Sequence, residues 1–236
     1  MAPRAATAKA SNPGLIGVPR RLVVIGAGEH ARVVADAARA AGWTLEGVVD
    51  PQPPEHTLSF LDVPHLGDDA AFELRLQGMA VASAPFLVLG IGAVGRPEVR
   101  IAAVARYPTA RWATIVHPDA STSPLATLGE GAVVLAGAVV GPGAVVGPHA
   151  VVNSSAVVEH DVEIGPHAQV APGAVIGGGA TLGPGAFVGL GALVRDHVSI
   201  GARAFVAMGS VVVADVSDGL TVSGLPARAH VSARRR

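Results

Sequence analysis

His160 and Asp161 stand side by side in this 236-residue chain. Histidine titrates near neutrality, so it can take a proton from an attacking nucleophile and later return it. A neighbouring carboxylate can hold one ring nitrogen, fix the tautomer and raise the basicity of the other. A second chemical signal lies far upstream. Gly26-Ala27-Gly28-Glu29-His30-Ala31 has the spacing G-x-G-x-x-[G/A], which cradles phosphate where a strand turns into a helix. Asp50 follows at about the separation at which an acidic side chain accepts from a ribose hydroxyl. Neither signal is specific by itself. Glycine turns occur without ligands, and a corner histidine is often only solvated.

The elements around His160 follow from a strict period. Fifteen aliphatic residues from Leu128 to Val212 fall at intervals of six, and a small or β-branched residue, mostly alanine, stands four places after each. Val116/Ala120 and Thr122/Ala126 extend the frame upstream. A fixed short period means a solenoid. Six suits neither a helix nor a two-faced strand, which repeat at 3.6 and 2. It suits a short strand followed by a corner, with three sides closing an 18-residue coil. Gly141-Pro142-Gly143 and Gly183-Pro184-Gly185 supply such corners. Residues 116 to 217 are predicted to wind five to six coils of a parallel β-helix. His149 and His167 are 18 apart and stack, each in a Gly-Pro-His-Ala corner, and are read as surface residues.

The upstream rhythm is different. Strands are predicted over Arg21–Ile25, Leu45–Val49 and Pro85–Gly90, and helices over His30–Ala41, Asp68–Leu76 and Glu98–Arg106, with Asp68 as a cap. Alternation of this kind builds a small parallel α/β sheet, a Rossmann-like βαβαβ unit. The chain therefore divides into a flexible tail (1–20), a nucleotide-binding α/β module (21–112), an all-β solenoid (113–230) and a basic tail (231–236). The module is half the size a dinucleotide needs, so a single nucleotide, or one attached to something, suits it better.

Composition narrows the function. Half of the residues are hydrophobic but only 3% are aromatic, as the thin interior of a triangular prism would select. The net charge of −1 gives no electrostatic case for nucleic acid. With no cysteine there is no disulfide framework or thiolate chemistry. The first twenty residues hold no apolar core of signal-peptide length, and no 18-residue apolar run occurs elsewhere, so a cytoplasmic protein without a membrane partner is expected.

An ordered set of motifs resembles a known family. Gly26-x-Gly28-x-His30-x-x-Val33-Val34, Asp50, Gly90-Ile91-Gly92, Thr114-Ile115-Val116-His117-Pro118, Asn153-x-x-Ala156-x-Val158-Glu159-His160-Asp161 and Gly224-x-Pro226-Ala227 occur in sequence. Together they look like the hexapeptide-repeat nucleotide-sugar N-acetyltransferases related to the sialic-acid O-acetyltransferases, over about residues 21 to 229. The resemblance implies a left-handed prism, acetyl-CoA as co-substrate, a homotrimer with sites between adjacent prisms, and a UDP- or GDP-linked amino sugar as acceptor, a precursor of cell-surface polysaccharide. It implies His160 as general base supported by Asp161. Gly26, Gly28, Glu29, His30, Asp50 and Gly90 would bind the acceptor. Asn153, Gln169, Gly178, Leu190 and Met208 would meet acetyl-CoA, the last two through backbone groups.

Solenoid arithmetic adds that Gly178 lies one coil beyond His160, roughly 4.8 Å away. There its missing side chain would leave room for a thioester and its N–H could polarise the carbonyl.

Two positions depart from the family. Gln169 stands where many relatives carry a second histidine, and it can donate a hydrogen bond but cannot titrate. Pro51 replaces a second acidic residue. Three competing functions have distinct requirements. A zinc hydratase of the γ-carbonic-anhydrase type needs three histidine ligands, and no matching close pair is present, so no metal is expected. A non-catalytic scaffold would be indifferent to loss of His160. O-acetylation of a sugar hydroxyl, such as that of a sialic acid, is the nearest alternative.

Overall fold

The computed structural model describes residues 20–52, 62–80 and 83–229. The expected tails, 1–20 and 231–236, fall outside it except for Arg20. Strand Arg21–Ile25 lies between Thr44–Val49 and Phe86–Leu89, all parallel. Helices Glu29–Ala40, Asp69–Gln77 and Pro97–Ala105 complete the module. Boundaries differ from the sequence expectations by one or two residues, as fraying ends do. Asp68 caps its helix, with the side chain accepting from the Ala71 N–H at 2.8 Å. Pro97 opens the third helix at the first turn, where a missing N–H costs nothing.

The chain then runs beside Leu87 at Trp112 and enters the prism at Ile115–Val116. Two-residue strands recur every six residues to Val211–Val212. Each pairs in parallel with the strand 18 residues away, as Val151 with Gln169, Val157 with Val175 and Glu163 with Thr181. The last parallel strand, Thr221–Gly224, carries the solenoid a little beyond residue 217 and folds back on Ala227–Ala229.

The interior is the predicted one. Val134, Val140, Val146 and their successors to Val212 are buried, together with the alanines four places on. From residue 131 to 209 every corner places one residue at positive φ, again every sixth position: glycine at 131, 137, 143 and 173, but His149, Asp161 and His167 among the others. The place just before it is often proline, as at 142, 148, 166, 172 and 184. Proline then a left-handed residue is the requirement of a type II turn.

The three faces of the prism differ in what they present outward. The first carries Ile115, Val133, Val151, Gln169, Phe187 and Phe205 and is covered by the α/β module. Its apolar core runs without a break from Leu22, Val24, Ala31 and Val34 into Ile115, Val133 and Val151. The second presents Val139, Val157, Val175, Leu193 and Val211, with Val139 and Leu193 exposed. The third presents Thr127, Val145, Glu163, Thr181 and Ser199.

His149 and His167 correct the surface reading. They do stack, with ring centroids 5.0 Å apart, but His149 is buried and Trp112 meets it edge-on at 5.0 Å. Their corner borders the covered face, so the module closes over it. Burial, with the nearby Arg100 charge, pushes both imidazoles down to about 4; for His167 the neighbouring His149 also contributes.

Candidate active site

The glycine turn follows from local geometry. Gly26 has φ +91°, and a Cβ there would lie 2.6 Å from Ile91 Cγ1, so only glycine fits. Its N–H donates to the Val49 carbonyl at 2.7 Å. Gly28 precedes the first helix without a side-chain cap. The N–H groups of Gly28, Glu29 and His30 find no acceptor among the described residues, which leaves them for an anion at the positive end of the helix.

Asp50 has a different first duty from the one expected. Its Oδ2 accepts from the Ala27 N–H at 2.9 Å and its Oδ1 from the Gln52 N–H at 3.1 Å. The carboxylate braces the glycine turn, and the Ala27 N–H is thereby engaged. Each oxygen keeps a lone pair that a ribose hydroxyl can still use.

These residues form one wall of a cleft of about 530 Å³, with Gly90 and the two residues after it. The volume is in the usual range for a small-molecule site. The other wall comes from the prism: Asn153, Gln169, Pro172, Phe187 and Leu190. Gln169 is buried and Leu190 half exposed. His30 lies at the cleft, with Nε2 buried and unpartnered. Burial first, and Arg100 second, push its pKa down to about 4, so the ring is neutral at physiological pH.

His160 sits elsewhere, at the corner between the second and third faces. That corner is tied to the coils on both sides, Asp161 N–H to Pro142 O at 3.0 Å and Gly179 N–H to His160 O at 2.9 Å. Asp161 takes the positive-φ place of the turn, which an aspartate tolerates better than most residues. Its Oδ2 lies 2.9 Å from His160 Nδ1. With Nδ1–H donating, Nε2 presents its lone pair outward. The Asp161 hydrogen bond is also the main cause of a raised His160 pKa. The ring is solvent-exposed.

Gly178 stacks on this ring, as the 18-residue spacing predicts. A Cβ at 178 would lie 2.6 Å from His160 Nε2. The missing side chain makes room for the imidazole itself. The Gly178 N–H has no acceptor among the described residues and remains available beside the ring.

One chain thus gathers Gly26, Gly28, Glu29, His30, Asp50, Gly90, Asn153, Gln169 and Leu190 around a single cleft. His160, Asp161 and Gly178 lie on another edge of the prism, and Met208, on the Leu190 edge, is largely exposed and outside the cleft lining. Sequence reasoning missed Phe187, although a signal existed: Phe187 and Phe205 are aromatic where other coils carry smaller residues, and 18 apart they stack at 5.0 Å. Arg100 gave no signal, being one of two charges on a helix of ordinary composition. Among the described residues no group of three His, Cys, Asp or Glu side chains is placed to hold a metal ion.

A glycine turn with free N–H groups, packed on a prism of six-residue repeats that carries a histidine–carboxylate pair, has the parts that a nucleotide-sugar acyltransferase needs. Comparisons with known proteins agree. Residues 21–107 match the PglD N-terminal domain, and residues 143–178 and 155–190 match the bacterial transferase hexapeptide (six repeats). No curated protein matches by sequence.

Among solved structures, the chain is similar to GDP-perosamine N-acetyltransferase from Caulobacter crescentus. In a histidine-to-alanine variant bound to CoA and GDP-perosamine, identity is 35%, over 89% of this chain and 97% of that one, with TM-score 0.79. It is similar to the acetyltransferase domain of PglB from Neisseria gonorrhoeae in complex with acetyl coenzyme A, at 30% identity over 90% and 100% of the two chains, TM-score 0.78. The chain belongs to this family of hexapeptide-repeat nucleotide-sugar acetyltransferases, and its β-helix is the family's left-handed one.

Proposed function

We propose that the chain transfers the acetyl group of acetyl-CoA to the amine of a nucleotide-linked 4-amino sugar, with His160 as general base. Likeness to the GDP-perosamine enzyme favours a GDP-linked acceptor. The nucleotide diphosphate sits on the free N–H groups of Gly28, Glu29 and His30, and the sugar extends along the cleft toward Asn153. His160 Nε2 removes a proton from the amine as its nitrogen attacks the thioester carbonyl. The tetrahedral intermediate collapses with loss of CoA thiolate, which takes that proton back from the imidazolium. Asp161 stabilises the charged ring in between. The Gly178 N–H is placed to polarise the thioester carbonyl.

The observation that carries this reading is the position of the two half-sites on either side of the aliphatic second face. His160 occupies one edge of that face; Asn153, Leu190 and Met208 occupy the other. A column of Val139, Val157, Val175, Leu193 and Val211 between them suits self-association. Three prisms packed with this face toward a threefold axis set the His160 edge of one chain against the cleft edge of the next. The working enzyme is therefore a homotrimer with three shared sites. Both substrates are charged and do not cross membranes, which favours the cytoplasm, and among the described residues no helix is long and apolar enough to span one.

Subunit complementation tests this directly. His160→Ala removes the base of one half-site and Gly28→Val weakens the cradle of the other, and at acceptor concentrations well below KM co-expressed mixed trimers should exceed the activity of either variant alone with acetyl-CoA and GDP-perosamine. Random mixing leaves on the order of a quarter of shared sites intact. No such excess in verified mixed trimers would place base and cradle in the same chain's site and overturn the arrangement. A thermal-shift comparison of GDP-, UDP-, CMP- and dTDP-sugars, with and without CoA, identifies the nucleotide; a ligand at 100 times its Kd adds about 2.7 kcal/mol.

A further inference from the structure

Arg100 is the most deeply buried charged side chain among the described residues, 1% exposed. It comes from helix Pro97–Ala105 and meets no carboxylate. One terminal nitrogen donates to the Ile91 carbonyl and the other to the His149 carbonyl at 2.8 Å. Its Nε has no partner. Around it lie three imidazoles, those of His30, His149 and His167, each with one buried ring nitrogen unpartnered. A buried guanidinium with only neutral partners is costly. Burial pushes even this group down to about 10. A cost of this kind is retained where the charge does something an apolar side chain of the same volume would not.

The two carbonyls it grips identify that task. Ile91 belongs to the Gly90-Ile91-Gly92 segment, which forms part of the module wall of the cleft and backs the Gly26 turn. His149 belongs to a prism corner next to the covered face. A single planar fork therefore ties the module wall to the prism.

We propose that Arg100 is a positioning residue for the acceptor: it fixes the separation and tilt of the two cleft walls by holding the Ile91 loop to the His149 corner. This inference rests on the reading of the cleft as the acceptor site. The apolar core between the modules resists their separation but is non-directional; the forked hydrogen bonds add the direction. The same charge also bears on His30, which lines the cleft.

The test uses the full-length chain with Arg100→Met, of similar length, and Arg100→Lys, which keeps the charge but can reach one carbonyl at a time. Two readouts are combined. Hydrogen–deuterium exchange follows the backbone of residues 90–96 and 147–150. Steady-state kinetics give KM and kcat for GDP-perosamine and for acetyl-CoA separately.

The expected result for Arg100→Met is faster exchange in both segments. Acceptor KM should rise about tenfold or more with acetyl-CoA KM within twofold, and Arg100→Lys should fall between Met and the parent. Unchanged exchange in a folded Arg100→Met variant overturns the clamp. Faster exchange with unchanged acceptor KM leaves the clamp in place but overturns its role in positioning the acceptor, whereas the acceptor reading of the cleft itself falls only if Gly28→Val also leaves that KM unchanged. Equal rises in both KM values reduce Arg100 to general stability. Should Arg100→Met fail to fold, Arg100→Lys alone decides, since a purely structural charge would be satisfied by it and the acceptor KM would stay at the parental value.

Discussion

The prism and the α/β module solve the problem of holding a site in opposite ways. In the prism every important neighbour is 18 residues away, and the same bond recurs coil after coil. The His160–Asp161 corner is held by Pro142 on one side and Gly179 on the other through backbone hydrogen bonds. In the module each brace is singular. Asp50 holds Ala27 across 23 residues, Ile91 backs Gly26, and Arg100 reaches His149 across 49. The prism is thus a rigid ruler on which a side chain can be placed by number. The module is a set of unlike contacts, each of which must be present for the cleft to exist. Damage in the prism should stay within a coil, whereas damage in the module should spread to the whole cleft.

Several substitutions can break or sharpen this contrast. The largest effect is expected on the aliphatic second face, where Val175→Glu with Leu193→Glu introduces like charges into the proposed threefold contact. Light scattering should show monomers, and activity should fall to background although every half-site residue is intact. A fully active monomer would refute the shared site.

His160→Ala should lower kcat by about 10² to 10⁴ while acetyl-CoA binding persists, and Asp161→Asn should cost less. In the parent the rate should rise with pH through a pKa above 6.5, because the Asp161 hydrogen bond favours the protonated ring and only the neutral ring is a base. That limb should vanish in His160→Ala.

Gly178→Ala probes the ruler itself. The new methyl group would collide with the His160 ring and should reduce kcat by about 10- to 100-fold through misplacement, with the melting temperature nearly unchanged. Gly28→Val acts on the other region. A Cβ there meets no protein atom within 4 Å, so the fold should tolerate it while acceptor KM rises roughly tenfold. Acetyl-CoA KM rising in parallel would remove the nucleotide reading of the turn.

Ala168→Leu or Ala174→Leu fills a fully buried inward place and should destabilise by about 1 to 3 kcal/mol through overpacking, measured by denaturant unfolding.

The smallest effect concerns pH and stability. His30, His149 and His167 are lowered from 6.5 to about 4 in the folded chain. Between those values the unfolded chain binds more protons, so stability is fully present above about 6.5 and declines as pH falls toward 4. Melting scans should show the decline, and His149→Gln with His167→Gln should flatten it.

The sequence by itself determined the solenoid, its register and its inward face, because a period of six leaves one way to bury every aliphatic position at once. It also placed the glycine turn between its strand and helix, and His160 beside Gly178, because both are local or follow from multiples of 18. It cannot tell which corners the module covers, so by itself it reads His149 and His167 as surface residues. Nor can it tell that Asp50 braces the turn, that Gly178 yields its space to the imidazole, or that Arg100 spans the two regions. Those facts depend on contacts between segments that share no period and were decided only when the module packed on one face of the prism. The same packing left a single aliphatic face bare, with the base on one edge and the cleft on the other.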